Sequence, residues 1–443
     1  MEINKSQIKK IGKQIRKDLI EGKNLNENDL ASLQEYRISH LESLQKVFNS
    51  LTYISRHHYK GSLSVYRLKR IDTIIRKIER YPNMSLATMQ DIAGCRAIVG
   101  SEHQIKKIVS DFEKLSEFEI IKRDDYISNP RETGYSSYHL IIKPINNDRV
   151  IEVQIRTRAN HHWATLVEIT DLLYDTKLKE GQIHPELFLF HNLLSIHVDK
   201  LTLDQKLSII NIENNLSVVT KLINIFNKNY FIAIERWTAA ISNDKAQYLI
   251  MQIDHNLSPS FEFFENFEIA ENEYFKNFAL NEPNMVLIHV NNVDFENIGI
   301  AYSNYILTSH PSIKFYLEIL QKTILELFKK GNINRGKKLF DYYDNLIVEI
   351  FSSFEDEILS IKRKKIDEEV YYFQKVKNHL KYNEILDEWV NNFNLRFNAL
   401  QKEHTTFLTN YNKLKNKKNK SDLPKIYKPD TIMKRIINLI IGE

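Results

Sequence analysis

Residues 150–156, V-I-E-V-Q-I-R, constrain the fold more than any other stretch of this chain, because apolar and polar side chains alternate along them. Ile151, Val153 and Ile155 fall on one face of a strand and Glu152, Gln154 and Arg156 on the other. One face is therefore core, and the other is solvent or chemistry. Upstream, D-I-A-G-C-R-A-I-V at 91–99 reads as a buried strand with Asp91 at its entrance and Arg96 inside it. An arginine there wants an anionic partner, since a buried unpaired charge is costly.

Leu68, Ile71, Ile74, Ile75 and Ile78 recur at near-helical spacing, so a helix is expected directly after Arg67, with Lys69, Thr73, Arg76 and Arg80 on its other side. Between 56 and 80, eight basic residues oppose two acidic ones, a local excess of 8 − 2 = +6. Such a face suits a polyphosphate, and equally a solvated surface. The stretch D-D-Y-I-S-N-P-R-E-T-G-Y-S-S-Y-H at 124–139 carries loop signals at Asn129-Pro130 and Gly134, then turns β-forming over 138–143. Tyr135 thus sits on a loop tip, where its ring either packs on its neighbours or stacks on a base, which is worth roughly 1–3 kcal/mol. Asp91 and Glu152 suit Mg²⁺, which takes one or two carboxylates plus phosphate oxygens and water; each alone also serves as a strand-end cap or ion-pair partner.

The order R-L-K (67–69), I-I-R-K (74–77), D-I-A-G-C-R (91–96), D-Y-I-x-x-P-x-x-x-G-Y-S-S-Y-H (125–139) and E-V-Q-I-R-T (152–157) resembles the synthetase domain of the RelA/SpoT alarmone enzymes. The resemblance covers about residues 51–175 and implies an α+β chain: a mixed-sheet, nucleotidyltransferase-like synthetase domain flanked by helices. It implies that Arg67 contacts ATP near the adenine, with Lys69 and Lys77 at the phosphates and Arg96 completing the clamp. Asp91 and Glu152 would carry Mg²⁺, Tyr135 would stack on the guanine of the acceptor, and His139, Gln154 and Arg156 would line the same site. The implied reaction moves pyrophosphate from ATP to the 3′-hydroxyl of GTP or GDP, giving (p)ppGpp and AMP.

Two departures stand out. Tyr66 occupies the place where many relatives have glycine, and H-H-W-A-T-L-V-E at 161–168 resembles the H-x-W-A-x-x-V-E branch of the family. Trp163, Leu166 and Val167 read as residues that dock a helix, in preference to a catalytic role for His161 or His162; Glu168 is a weaker site candidate. No His-Asp pair of the phosphohydrolase type occurs in the first 50 residues, so an enzyme that makes an alarmone is not expected to remove it.

The remainder is organised by helices. Only 11 glycines and 9 prolines occur in 443 residues, well below the usual ~7% and ~5%, which points to long helices and few tight turns. We expect a helical segment over 1–50, the synthetase-like domain over 51–180, a helical connector over 181–241, a small α/β module over 242–324 and a helical region over 325–443. Within the module, 248–253 and 285–290 are β-like runs around a helix at 263–278, and 301–305 leads into a helix from Ser312. From about residue 325 an aromatic stripe reads as core between long antiparallel helices. Five lysines at 413–420 read as a solvated helix end, or as a polyanion contact.

A lone cysteine, Cys95, excludes an internal disulfide framework and fits a reducing cytosol. The absence of a signal-like N-terminus and of any apolar run near ~20 residues leads us to expect a cytoplasmic chain without a membrane partner. The net charge of +5 does not by itself demand nucleic acid. Three readings follow: a (p)ppGpp-making pyrophosphokinase acting on ATP and GTP or GDP; a toxic synthetase that pyrophosphorylates tRNA 3′ ends or adenine nucleotides, with the second half as a neutralising or sensing module; and a non-catalytic nucleotide sensor.

Overall fold

Three helices, α1 (Lys5–Ile20), α2 (Glu27–Ile38) and α3 (Leu41–His58), open the computed structural model, which describes residues 4–176, 178, 184–240, 246–279, 284–290, 295–371, 379–417 and 428–441. There follow β1 (Leu63–Leu68), α4 (Ile71–Arg80), β2 (Ala93–Val99), α5 (Glu102–Phe112), β3 (Phe118–Asp125), β4 (Tyr138–Pro144), β5 (Ile151–Thr157) and α6 (Arg158–Leu173). The five strands form one sheet in the order β1-β2-β5-β4-β3, with β2 and β5 parallel and every other pair antiparallel. Cys95, Ala97, Val153, Ile155, Leu140 and Ile142 on one face pack against Val47 and Leu51 of α3 and Ile105, Ile108 and Phe112 of α5. Covering this face with helices leaves the polar residues of the same strands for the other.

The next helices are α7 (Pro185–Leu194), α8 (Leu203–Leu216) and α9 (Val218–Ala240). A second, antiparallel sheet in the order β7-β6-β8 is built from β6 (Tyr248–Ile253), β7 (Pro259–Phe264) and β8 (Met285–His289), with α10 (Phe267–Ala279) between β7 and β8 and α11 (Phe295–Ala301) and α12 (Ser303–Ile306) after them. The chain ends in α13 (Ser312–Lys329), α14 (Ile333–Tyr371), α15 (His379–Lys417) and α16 (Lys428–Ile441). The class is α+β, with a mixed five-stranded sheet in the N-terminal part and a small antiparallel sheet set among helices. Among the described residues no helix is long and apolar enough to cross a membrane.

In space the chain divides into two compact units. One comprises Met1–Ile169 with Asn243–Ile306, the other Thr170–Ser242 with Leu307–Glu443. The small sheet belongs to the first unit because a second core joins it to the N-terminal helices: Ile8, Ile15 and Leu33, the α4 stripe Ile71, Ile74, Ile75 and Ile78, and Tyr248, Ile250, Tyr274 and Leu287 form one buried cluster. The second unit is helical, with Phe340, Tyr343 and Phe351 of α14 packed on Phe397, His404, Phe407 and Tyr411 of α15, so the aromatic stripe is core.

Several local expectations are corrected. Arg67 and Leu68 end strand β1 and are not helical: Arg70, with φ −61° and ψ 141°, is the N-cap of α4, and Leu68 packs in the sheet core while the isoleucine stripe packs in the other. The helix read at 263–278 starts only at Phe267, because Pro259–Phe264 pairs with β6. Residues 303–306 are helical. Lys413 and Lys415 lie in the last turns of α15, and residues 418–420 of the lysine run are outside the described residues.

Candidate functional site

Parallel pairing of β2 with β5 sets Gly94 beside Glu152 and Arg96 beside Gln154, and the antiparallel neighbours add Arg67 opposite Gly94 and His139 opposite Gln154. Since the alternate residues of these strands are core, Arg67, Arg96, Glu152, Gln154 and His139 share the other face. Gly94 keeps the row open. A Cβ there would lie 3.1 Å from the Glu152 carbonyl oxygen and 3.8 Å from its carboxylate.

Asp91 sits in the turn before β2, where two ammonium groups converge on it. Lys69, just past β1, and Lys77, on α4, donate to the same oxygen, Oδ2, at 2.9 and 2.7 Å. The backbone N–H of Lys69 donates to the Ile92 carbonyl at 2.8 Å, which ties the two segments together. Burial works to raise the Asp91 pKa, and the two lysines outweigh it and hold the carboxyl below its ordinary range. Its other oxygen, Oδ1, is buried and meets no hydrogen-bond donor among the described residues. Arg70 and Arg76 are turned instead to Asp72.

Glu152 closes a hydrogen-bonded ring. Gln154 Nε2 donates to Glu152 Oε2 at 2.9 Å, Arg156 Nη2 donates to Gln154 Oε1 at 2.9 Å and to the Tyr135 hydroxyl at 2.6 Å, and that hydroxyl lies 2.7 Å from His139 Nε2. His139 Nδ1 returns to Glu152 Oε1 at 3.2 Å. With Nδ1–H donated to the carboxylate, Nε2 accepts from Tyr135. Burial opposes the charge on Glu152, yet His139 holds its pKa below the ordinary value, with Gln154 helping and Asp91 opposing. The loop that carries Tyr135 is shaped by Gly134, whose φ of +89° favours glycine, and by Asp125, which accepts from the N–H groups of Ile127 and Ser128 at 2.9 Å. Arg131 lies over the Tyr126 ring at 4.5 Å and over Tyr135 at 5.5 Å.

An open cleft of about 690 Å³ joins these parts, lined by Arg67, Lys69, Asp91, Arg96, Glu152 and Gln154 and also by Tyr302. Tyr302 is 3% exposed, and burial pushes its hydroxyl up to about 12 against the pull of Arg67 and Arg96. Burial lowers the Arg96 guanidinium to about 10, with Arg156 and Arg67 adding repulsion and Glu168 opposing it. Arg67 holds its charge above its ordinary value in spite of burial, through Tyr305, Glu168 and Tyr302. Glu168 therefore acts on both arginines. Leu166, Val167 and His161 are buried, and His161 Nε2 lies 2.8 Å from the Ile300 carbonyl, so the H-H-W-A segment docks residues 295–306.

Two half-buried carboxylates, one with a buried oxygen that meets no hydrogen-bond donor among the described residues, fit a divalent cation. Among the described residues no three His, Cys, Asp or Glu side chains converge on one point, so an ion held here would draw its remaining ligands from phosphate oxygens and water. The ten residues to which the resemblance gives a role meet in this one region, and the weaker candidate Glu168 acts on Arg67 and Arg96. Tyr126 and Arg131 also stand at the Tyr135 loop, inside the 125–139 motif, whose turn signals give them no role of their own. Tyr302 and Tyr305 lie far downstream and carry no local mark.

The model of a family described as "Region found in RelA / SpoT proteins" matches residues 66–179. The GTP pyrophosphokinase YjbM of Bacillus subtilis (strain 168) is 30% identical over 122 residues, covering 26% of this chain and 58% of that protein. The GTP pyrophosphokinase YwaC of the same organism is 36% identical over 112 residues, covering 23% and 53%. The chain thus spans little more than half the length of these relatives. Among solved structures, the small alarmone synthetase 1 from Bacillus subtilis bound to its product pppGpp is similar at 25% identity and a TM-score of 0.30, over 35% of this chain and 85% of that one. A second structure of that synthetase, bound to AMPCPP, is similar at 19% identity and a TM-score of 0.29, over 43% and 99%.

Proposed function

We propose that this chain, whose residues 66–179 carry a RelA/SpoT region, is a pyrophosphokinase: it moves the β,γ-pyrophosphate of ATP to a ribose 3′-hydroxyl, GTP or GDP being the acceptor of first choice, and releases AMP. The convergence of Lys69 and Lys77 on Asp91, beside Glu152 in the same cleft, carries this reading. In the reaction the acceptor 3′-oxygen bonds to the β-phosphorus, the bond from that phosphorus to the α-phosphate oxygen breaks, and AMP leaves with the electron pair. When ATP binds, Lys69 and Lys77 turn from Asp91 to phosphate oxygens, and Arg67 and Arg96 offset charge on the donor, an arrangement that stabilises the transition state by position and electrostatics. Mg²⁺ held by Asp91 and Glu152 would neutralise charge on the transferred group. Glu152, kept ionised by His139, takes the proton of the attacking hydroxyl. Tyr135 offers its ring to the acceptor base.

One observation favours the toxic-synthetase reading with a neutralising module. Tyr302 and Tyr305 are buried next to Arg67, on the donor side of the cleft, and His161 holds the Ile300 carbonyl. On this reading residues 295–306 restrict the place of the adenine and keep the enzyme closed until they move. The test is to incubate the purified chain and its Y302A/Y305A form with ATP, Mg²⁺ and, separately, GDP, GTP, ATP alone and deacylated tRNA, and to follow AMP and the labelled acceptor. AMP formed with a guanine nucleotide supports the first reading, and AMP with tRNA or adenine nucleotide supports the second. No AMP from either form removes both. Equal rates for the two forms remove the closed state.

A further inference from the structure

Arg37 of α2 is 1% exposed, and its guanidinium has four neighbours. Its Nε donates to the backbone carbonyl of Lys69 at 2.6 Å, its Nη1 donates to Gln34 Oε1 at 3.1 Å and forms an ion pair with Glu271 of α10, and its plane lies 4.7 Å from the Tyr274 ring centre. The Tyr274 hydroxyl, also from α10, accepts the Ile71 N–H at 3.3 Å, the first residue of α4. The turn at 69–71 is therefore held at its carbonyl by Arg37 and at its far end by Tyr274. That turn carries Lys69, and it aims α4, which carries Lys77. Glu271 is as deeply buried as Arg37. Since a buried ion pair is commonly no better for stability than an apolar pair of similar volume, stability alone does not account for building one here.

We infer that Arg37, held by Glu271, is a positioning residue for the phosphate clamp, so that α10 is a working part of the donor site while residues 295–306 restrict it. The inference rests on the reading of Lys69 and Lys77 as phosphate ligands. It gives two parts of the 243–306 segment opposite roles, since α10 supports the clamp while Tyr302 and Tyr305 obstruct it. Displacing the whole segment would then open the cleft and slacken the clamp together, whereas displacing only the tyrosines would open it with the clamp intact.

The experiment uses the full chain carrying R37M/E271M, which removes both buried charges at once, and R37K, which keeps the charge but not the planar fork. Amide exchange of residues 69–75 is measured, and so is the affinity for the α,β-methylene analogue of ATP with Mg²⁺, the latter with and without Y302A/Y305A. We expect R37M/E271M to keep the parent melting temperature while amide exchange at 69–75 rises about tenfold and analogue affinity in the opened form falls about tenfold, as the loss of one charge-assisted hydrogen bond to the turn would give. R37K should retain only part of each. Parent-like affinity in R37M/E271M overturns the inference whatever the exchange shows. If the analogue binds neither the parent nor its opened form, the reading of the site fails, and exchange alone decides whether Arg37 holds the turn.

Discussion

The ring of Tyr66 lies parallel to the imidazole of His289, 5.0 Å away with 14° between their planes. Phe48 closes edge-on against Tyr66 at 4.7 Å. Tyr66 thus joins β1 to β8 of the small sheet. Truncation of a large buried aromatic costs roughly 3–5 kcal/mol. Tyr66→Ala should therefore lower the urea midpoint of the first unit and speed amide exchange in β8 more than in β5. Equal exchange changes in the two strands would contradict the contact's role.

Gly94 faces Glu152 so closely that even a methyl group is tight. Gly94→Ala places a Cβ 3.1 Å from the Glu152 carbonyl, a contact few real Cβ atoms make, so the β2–β5 pairing must give by a few tenths of an ångström and carry the Glu152 side chain with it. Misplacement of a reacting group costs rate steeply. AMP release should fall about tenfold or more, while the melting temperature drops by only a few degrees, as expected for a change of about 1 kcal/mol. A parent-like rate would show that the spacing is not functional.

Tyr135 has two separable features, a ring and a hydroxyl. Tyr135→Phe keeps the ring but removes the hydroxyl that bridges Arg156 and His139, a loss of about 1 kcal/mol per hydrogen bond. Tyr135→Ala also removes the face offered to the base, worth roughly 1–3 kcal/mol. The acceptor KM should rise several-fold in the first and further in the second, with the ATP KM near that of the parent. Identical acceptor KM values for parent and Tyr135→Ala would remove stacking.

The dependence of stability on pH has a definite sign. Burial lowers His40 and His162 to about 4 and His161 well below 6.5, with neighbouring arginines adding to the effect. In the unfolded chain each takes up a proton near 6.5, while the folded chain keeps it neutral. The unfolded state therefore binds more protons below 6.5, and stability is lost as pH falls through the window from 6.5 to 4. At pH 5 the loss is on the order of 2 kcal/mol for each of His40 and His162. Unfolding in urea should show this slope between pH 7.5 and 5, flattened in His161→Gln. Asp91 and Glu152, whose pKa values are depressed, contribute above their ordinary 3.8 and 4.5 and lose that contribution only at lower pH. A flat profile down to pH 5 would contradict the neutral burial of these histidines.

What is legible in the residues alone follows from one-sided burial. β5 alternates because one face is core, and β2 is apolar because it lies inside the sheet, so both could be read. β3 is an edge strand with largely exposed residues, and Lys122 and Arg123 hide any period. β1 was hidden for a different reason: Leu68 stands at helical spacing from Ile71, although the two side chains enter different cores. The residues that gather at this candidate site were legible because each belongs to a short motif on or beside β1, α4, β2, β4 or β5. Arg37 and Glu271, 234 positions apart, have no such motif, and nothing local at Tyr302 reports that it lines the cleft. Contacts of that range are set by the packing of α10, α11 and α12 in the first unit.

The most direct test of the central proposal follows the fate of both ends of ATP. The full chain carrying Y302A/Y305A is given ATP labelled at the γ-phosphate, Mg²⁺ and GDP, and the products are resolved. The account predicts AMP and labelled acceptor in equal amounts, with both abolished together in Glu152→Gln and Asp91→Asn. Release of ADP with labelled phosphate, or AMP formation at the parent rate in those two variants, would contradict it.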